Sequence, residues 1–215
     1  MLMALLPGDS RRTAPTGPLA PPRLQLHGPH DARRPQVEQF IAGIFARRFG
    51  ARIPAFAPVL VSLRDPSDGA IVAAAGYRPA GEGALFLERY LGAPVEAVLA
   101  QRLNAAPRRP DVVEIGHLAA SRAGAGRRLM IQLGPHLEQR GFRWIVCTLT
   151  QELRHLLPRL GITPLALARA DAAALTGEAA AWGSYYDHGP VVLAGELAPA
   201  LRRFRQRLAE RGAPQ

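Results

Sequence analysis

Glu114 is the lone carboxylate of an apolar, β-branched segment, VVEIGHLA, that runs into a Gly-rich turn, SRAGAG, at Ser121–Gly126. A carboxylate in such a run is drawn out of water as its strand packs. Its pKa then rises, and it can take a proton from an attacking ammonium, directly or through water. Pairing with an arginine such as Arg78 is the structural alternative. Beyond the turn Leu129, Met130, Leu133 and Leu137 recur at helical spacing, so strand, loop and helix follow in that order. Backbone N–H groups at a helix start are unsatisfied and lie at the positive end of the dipole. Glycines admit a ligand to them, so Ser121, Arg122, Ala123, Gly124, Ala125, Gly126 and Arg127 form a candidate pyrophosphate cradle, with Arg128 adding charge. An ordinary turn before a core helix would carry the same glycines.

The chain has 215 residues, enough for one domain with a substantial core. All 27 basic residues are arginine, which excludes Schiff-base chemistry on lysine. A net charge of +10 favours an acidic partner: an anionic membrane, a phosphorylated cofactor or an acidic carrier protein. No arginine run with interleaved aromatics occurs, so nucleic acid is not expected. The single Cys147 rules out an intrachain disulfide, and in WIVCTL it reads as a buried structural thiol. The six histidines show no zinc-type spacing, so no metal is expected. MLMALLP is too short for a signal-peptide core, and no segment reaches the roughly 20 apolar residues of a membrane span. A cytoplasmic location is expected.

The elements that must position these residues can be read in order. Residues 1–34 are rich in Pro, Gly and Arg and read as a flexible tail, with a possible first strand at 23–27. A domain spanning 35–196 follows. It opens with a helix at Pro35 carrying Val37, Phe40, Ile41, Ile44 and Phe45. Strands at 59–63 and 70–76 flank the turn DPSDG. LFLERYL at 85–91 fits either helix or strand, and Pro94 starts a helix with Val95, Val98, Leu99 and Leu103. After the central stretch come a strand at 143–149, a helix at 151–160, an Ala-rich helical piece at 171–175, the aromatic loop WGSYYDHGP and a last strand at 191–194. Residues 197–215 form a basic amphipathic helix, with Leu197, Leu201, Phe204 and Leu208 on one face and Arg202, Arg203, Arg205, Arg207 and Arg211 around them. Packing on the core is favoured over contact with a membrane surface. The order predicts an α/β, three-layer sandwich on a mixed, mostly antiparallel sheet.

Four separated segments, GYRPA at 76–80, LFLERYL at 85–91, VEIGHLA at 113–119 and WGSYYDHGPVV at 182–192, together resemble the thermostable hemolysin family. The resemblance runs from about Phe40 to Leu197. It implies a Gcn5-related N-acetyltransferase-like fold, distantly similar to acyl-homoserine-lactone synthases, in which the glycine loop holds the pyrophosphate of acyl-CoA. The family name implies membrane lysis, yet the chain has neither a spanning helix nor the long alternating strand pairs of a pore. Two departures stand out. The acetyltransferase loop usually begins with Arg or Gln where Ser121 stands, and the family usually carries Asn where this chain has His117.

On that resemblance Glu114 takes the position of a general base. His117, three residues on, would point to the opposite face of a regular strand and is the second candidate. Tyr185 or Tyr186 would protonate the departing thiolate. Arg78, with Glu88 and Glu96, would orient an amino-acid-like acceptor, a role a structural ion network explains equally well, and Trp182 would line the acceptor site. The expected function is acyl transfer from acyl-CoA, or from the phosphopantetheine of an acidic acyl-carrier protein, to a small amine. The alternatives are a membrane-active protein working through its basic helix, or a non-catalytic acyl- or CoA-binding module.

Overall fold

A computed structural model describes residues 23–103, 107–158 and 161–212. Seven strands form one sheet: β1 (Gln25–His27), β2 (Val59–Arg64), β3 (Ile71–Pro79), β4 (Val112–Ala120), β5 (Trp144–Leu149), β6 (Leu165–Arg169) and β7 (Val191–Glu196), in the order β1-β2-β3-β4-β5-β7-β6. Only β4 and β5 run parallel; every other pair is antiparallel. The helices are α1 (Arg34–Phe49), α2 (Val95–Arg102), α3 (Ala125–Gln139), α4 (Gln151–Leu156) and α5 (Leu197–Gly212). One sheet face buries Val61, Ala75, Tyr77, Val113 and Ile115 under α3 and α5. The other buries Leu60, Ala74 and Ala119 under α1, and Val112, Val146 and Val192 under α2 and the preceding turn. This is the expected sandwich.

Several local expectations change. LFLERYL, open between helix and strand, is a 3-10 turn at Phe86–Tyr90. The strand expected at 70–76 extends to Pro79, which carries Arg78 onto the sheet. The expected helix at 151–160 is α4 ending at Leu156, and residues 159–160 lie outside the described ones. The Ala-rich piece is a 3-10 turn at Ala172–Ala174. Strand β6, LALAR, has no strand signal of its own, because it lacks a β-branched residue and gains its register only from β7. Of the expected N-terminal tail, residues 1–22 lie outside the described ones, and β1 is part of the sheet. The C-terminal helix packs on the core, the arrangement favoured for its apolar face. Leu197, Leu201 and Phe204 are buried, and a side-chain carbon on Gly134 would come within 2.5 Å of Leu201 Cδ2, so glycine lets α5 close on α3. The side chains of Arg207, Leu208 and Arg211 lie outside the described residues.

Two polar devices fix the edges. His27 accepts or donates through Nε2 to Ser62 Oγ at 2.9 Å, and its Nδ1 meets Asp31 Oδ2 at 3.2 Å. The connectivity is that of a Ser-His-Asp hydrolytic site, but His27 and Ser62 are fully buried, so the trio pins β1 to β2. At the C-terminal end of α1, Phe49 O accepts from Ser184 N–H at 2.8 Å, and Ala181 O accepts from Arg52 N–H at 2.6 Å. These bonds draw the aromatic loop against the helix.

Gly183 is what permits that approach: its φ is +53°, and a side-chain carbon there would lie 2.0 Å from Phe49 O. Gly183→Ala should therefore cost about 2–4 kcal/mol, the sum of a left-handed alanine and a backbone clash. Gly189, at φ +55° with open space around it, is the control. Thermal denaturation should show Gly189→Ala losing clearly less than Gly183→Ala; equal losses would refute the close-approach argument.

Candidate functional site

The site is built on β4, whose two neighbours treat its halves differently. On one side it pairs with β5 only from Val112↔Trp144 to Ile115↔Cys147, after which the strands part. On the other, its register with β3 is Gly116↔Gly76 and then Ala119↔Ala74. His117 and Leu118 thus stand against the single Ala75, a β-bulge, and His117 takes the left-handed φ of +54°. The bulge corrects the expectation that His117 faces away from Glu114. An extra residue shifts the strand's alternation, so the His117 ring stays on the α1 side, 5.5 Å from Phe56 and with Nδ1 packed over Gly76. Gly76 cannot carry a side chain there, since its Cβ would fall 2.7 Å from Ala57 Cβ and 3.2 Å from His117 Nδ1.

Glu114 lies two residues before Gly116, and each of its oxygens accepts a backbone hydrogen bond. Phe86 N–H donates to Oε2 at 2.8 Å and Leu87 N–H to Oε1 at 3.1 Å. Arg78 is its register partner on β3, but Arg78 Nη1 donates to Ala84 O at 3.3 Å rather than to the carboxylate. Burial raises the Glu114 pKa, and it outweighs the two N–H donors and the Arg78 charge that favour ionisation. One lone pair per oxygen remains for a proton. His117 is held neutral, its pKa lowered to about 4 by burial first and by the Arg78 and Arg34 charges after that. Its ring bonds to the Ala55 backbone, and its buried Nδ1 has no partner.

The aromatic loop closes the same face. Trp182 is buried among Phe45, Phe86 and Tyr185, and so packs as core, though its Nε1–H finds no acceptor. Tyr185 donates to Thr148 O at 3.4 Å, beyond the point where β5 leaves β4, and burial raises its pKa. A phenol less acidic than usual passes a proton to a thiolate only uphill, which suits Tyr185 to hydrogen bonding more than to acid catalysis. Tyr186 shares a 2.7 Å hydrogen bond with Tyr90.

Glu88 and Glu96 are not brought to Arg78. Arg109 binds both, at 2.7 and 2.8 Å, and Glu88 also accepts from Leu85 and Val95 N–H, so the pair clasps the 85–96 segment. In the glycine loop, Gly124 caps α3 at φ +78°. Ala125 N–H donates to Arg122 O and Arg128 N–H to Gly124 O, leaving the N–H groups of Gly126 and Arg127 without a backbone acceptor. Ser121 N–H donates to Val72 O, which fixes the loop to β3, and Ala123 is exposed. The loop's cations are directed elsewhere: Arg122 pairs with Asp65 and Asp68, and Arg127 lies 5.8 Å over the Phe204 ring. Arg128 is exposed and makes no ion pair among the described residues.

The profile of the thermostable hemolysin family matches residues 27–201. The chain belongs to that family. No curated protein sequence matches it. Among solved structures it is similar to MesI, a CoA-dependent acyl-homoserine lactone synthase, with 19% identity over 89% of this chain and 97% of that one and a TM-score of 0.55. BjaI, a CoA-dependent acyl-homoserine lactone synthase solved with MTA, gives 11% identity, coverage of 87% and 90%, and a TM-score of 0.61. FeeM, an N-acyl amino acid synthase from uncultured soil microbes, gives 11% identity, coverage of 89% and 99%, and a TM-score of 0.58. At these identities the likeness establishes the fold, which is the acetyltransferase-like one. His117 is among the residue types that tolerate the left-handed conformation of the bulge.

Three residues around the site carry no sequence signal. Phe56 and Glu82 lie outside the motifs, and Thr148, whose buried Oγ1 has no partner, looked like any strand residue. Only an orphaned hydroxyl next to the strand gap distinguishes it, and that is a tertiary property.

The His117 shift has a stability consequence. Because its folded pKa lies below the unfolded value of 6.5, the unfolded chain binds a proton between about pH 6.5 and 4 that the folded chain refuses. Stability therefore falls as pH drops through that window. His27, also lowered by burial, acts in the same direction, so the comparison must be internal. Between pH 7 and 5, urea unfolding should cost the wild type about 1–2 kcal/mol more than His117→Asn; parallel losses would mean that His117 titrates normally.

Proposed function

We propose that this chain is an acyltransferase that moves an acyl group from a phosphopantetheine thioester, of acyl-CoA or an acyl-carrier protein, to a primary amine on a small molecule. The observation that carries this reading is the gap between β4 and β5 beyond Ile115 and Cys147, headed by a glycine loop with two unengaged N–H groups. A pyrophosphate on those groups would let an extended pantetheine enter the gap, with its thioester near the bulge. The acceptor nitrogen then attacks the thioester carbonyl, the C–N bond forms, the C–S bond breaks and thiolate leaves. Glu114 takes the ammonium proton, its raised pKa making it a better base than an ordinary carboxylate. His117, held neutral and packed over Gly76, would add no charge beside the acceptor. The positive charge of the chain suits either a phosphorylated cofactor or an acidic carrier.

Membrane lysis through the C-terminal helix is disfavoured. Leu197, Leu201 and Phe204 of its apolar face are buried, and among the described residues no helix is long and apolar enough to cross a membrane. A non-catalytic binding module would share the donor site and differ only in turnover.

Two variants test the reading. A side-chain carbon at Gly126 would meet only Ala120 Cβ, at an ordinary 3.6 Å, so Gly126→Val should fold normally while obstructing the loop. Calorimetry should find CoA affinity reduced at least about tenfold with an unchanged melting temperature; full affinity would remove the loop from the site. Glu114→Gln should lower turnover about a hundredfold or more, read as thiol release from an acyl-CoA. Raising the pH should partly restore it. Because an amide cannot accept from both Phe86 and Leu87 N–H, the same variant should also lose about 1–3 kcal/mol of stability. Lost stability with near wild-type turnover would make Glu114 purely structural.

A further inference from the structure

On the α1 side of the sheet, a groove of about 340 Å³ opens beside the register pair Arg78–Glu114, lined by Phe56, Pro58, Arg78, Glu82, Gly83 and Ala84. Most acidic groups nearby are consumed by arginine: Glu88 and Glu96 by Arg109, and Glu178 by Arg89. Arg78 and Glu82, which line the groove, stand outside these pairs. Among the described residues neither makes an ion pair, and Arg78 gives only one long hydrogen bond, to Ala84 O. The groove thus offers one guanidinium, one exposed carboxylate and an apolar wall made by Phe56 and Pro58.

We propose that this groove recognises the acceptor as an α-amino acid with an apolar side chain, Arg78 binding its carboxylate, Glu82 its ammonium, and Phe56 with Pro58 its side chain. The assignment rests on the acyltransferase reading. A zwitterion matches the opposed charges one for one. A simple amine would leave Arg78 half-buried and unpaired, and a phosphate dianion would face Glu82 with a single cation to hold it. Planar, two-pronged carboxylate recognition is what a guanidinium does best. Phe56 also touches His117, so an amino acid on this wall lies next to the bulge, and Arg78 brings it opposite Glu114. The lock on Glu88 and Glu96 explains why they are not the partners of Arg78.

The test uses the full chain and three probes: L-phenylalanine, 2-phenylethylamine, which lacks the carboxylate, and 3-phenylpropionate, which lacks the ammonium. Calorimetry without donor should give phenylalanine at least a tenfold tighter binding than either analogue. Arg78→Gln should bring phenylalanine down to the affinity of phenylethylamine, with CoA binding as the check that the variant is folded. Glu82 is exposed, so Glu82→Gln should fold regardless, and it should bring phenylalanine down to the affinity of 3-phenylpropionate. Equal affinity for the three probes, or no binding of any, overturns the assignment. Acyl transfer to phenylethylamine as readily as to phenylalanine also overturns it, yet leaves the acyltransferase reading intact. Binding of phenylalanine by a protein that does not bind CoA would sink that reading while the groove assignment stands.

Discussion

Two hydrogen bonds, from Phe86 and Leu87 N–H to the buried carboxylate of Glu114, join the central strand to the segment that closes its α1-side face. A carboxylate removed from water is costly unless donors replace the water, and these two do so in part. The 3-10 turn they hold carries Leu87 into the core and Phe86 and Tyr90 into the aromatic cluster around Trp182. It also presents Glu88 to Arg109, which extends the clasp to α2. The carboxylate proposed as the base is therefore one the fold already uses. Its chemistry is bounded by that use, since each N–H it accepts favours the ionised form while burial opposes it.

The bulge at His117 is the second constraint, and it follows from the two neighbours of β4. A strand paired on both sides along its length has no room for a ligand's backbone-like chain. By parting from β5 after Ile115 and gaining a residue against β3, β4 leaves polar backbone free at mid-sheet and keeps the His117 ring on the same face as Glu114. The close contact of Gly76 with Ala57, Leu60 and His117 is what this arrangement requires of β3.

An all-arginine basic set shapes the rest. Arg34 donates to Glu38 and to the carbonyls of His27, Ala57 and Pro58, tying α1 to the loop that carries Phe56. Arg122 joins the glycine loop to Asp65 and Asp68 in the β2–β3 turn, where the two Ser67 hydrogen bonds first and Arg122 after them lower the Asp65 pKa to about 2. Arg122 and Asp68 are exposed, so their gain is orientation of the loop more than stability. A lysine's point charge could not span several carbonyls as the Arg34 fork does.

Periodicity and composition determined much by themselves. The strand–glycine loop–helix at 111–137, the helix at α1, the β2–β3 hairpin and the apolar face of α5 follow from spacing that local geometry enforces. Glu114 was conspicuous because one carboxylate interrupts an apolar run. What tertiary structure decided is which polar groups meet. The pairing of Glu88 and Glu96 with Arg109, and not with Arg78, depends on a turn bringing Arg109 back across the chain. Strand β6 exists through its partner, since LALAR has little preference of its own. The side of the sheet on which His117 lies turned on a single inserted residue. A period-two pattern cannot reveal a bulge, because only the register with the neighbouring strand defines which residue is extra.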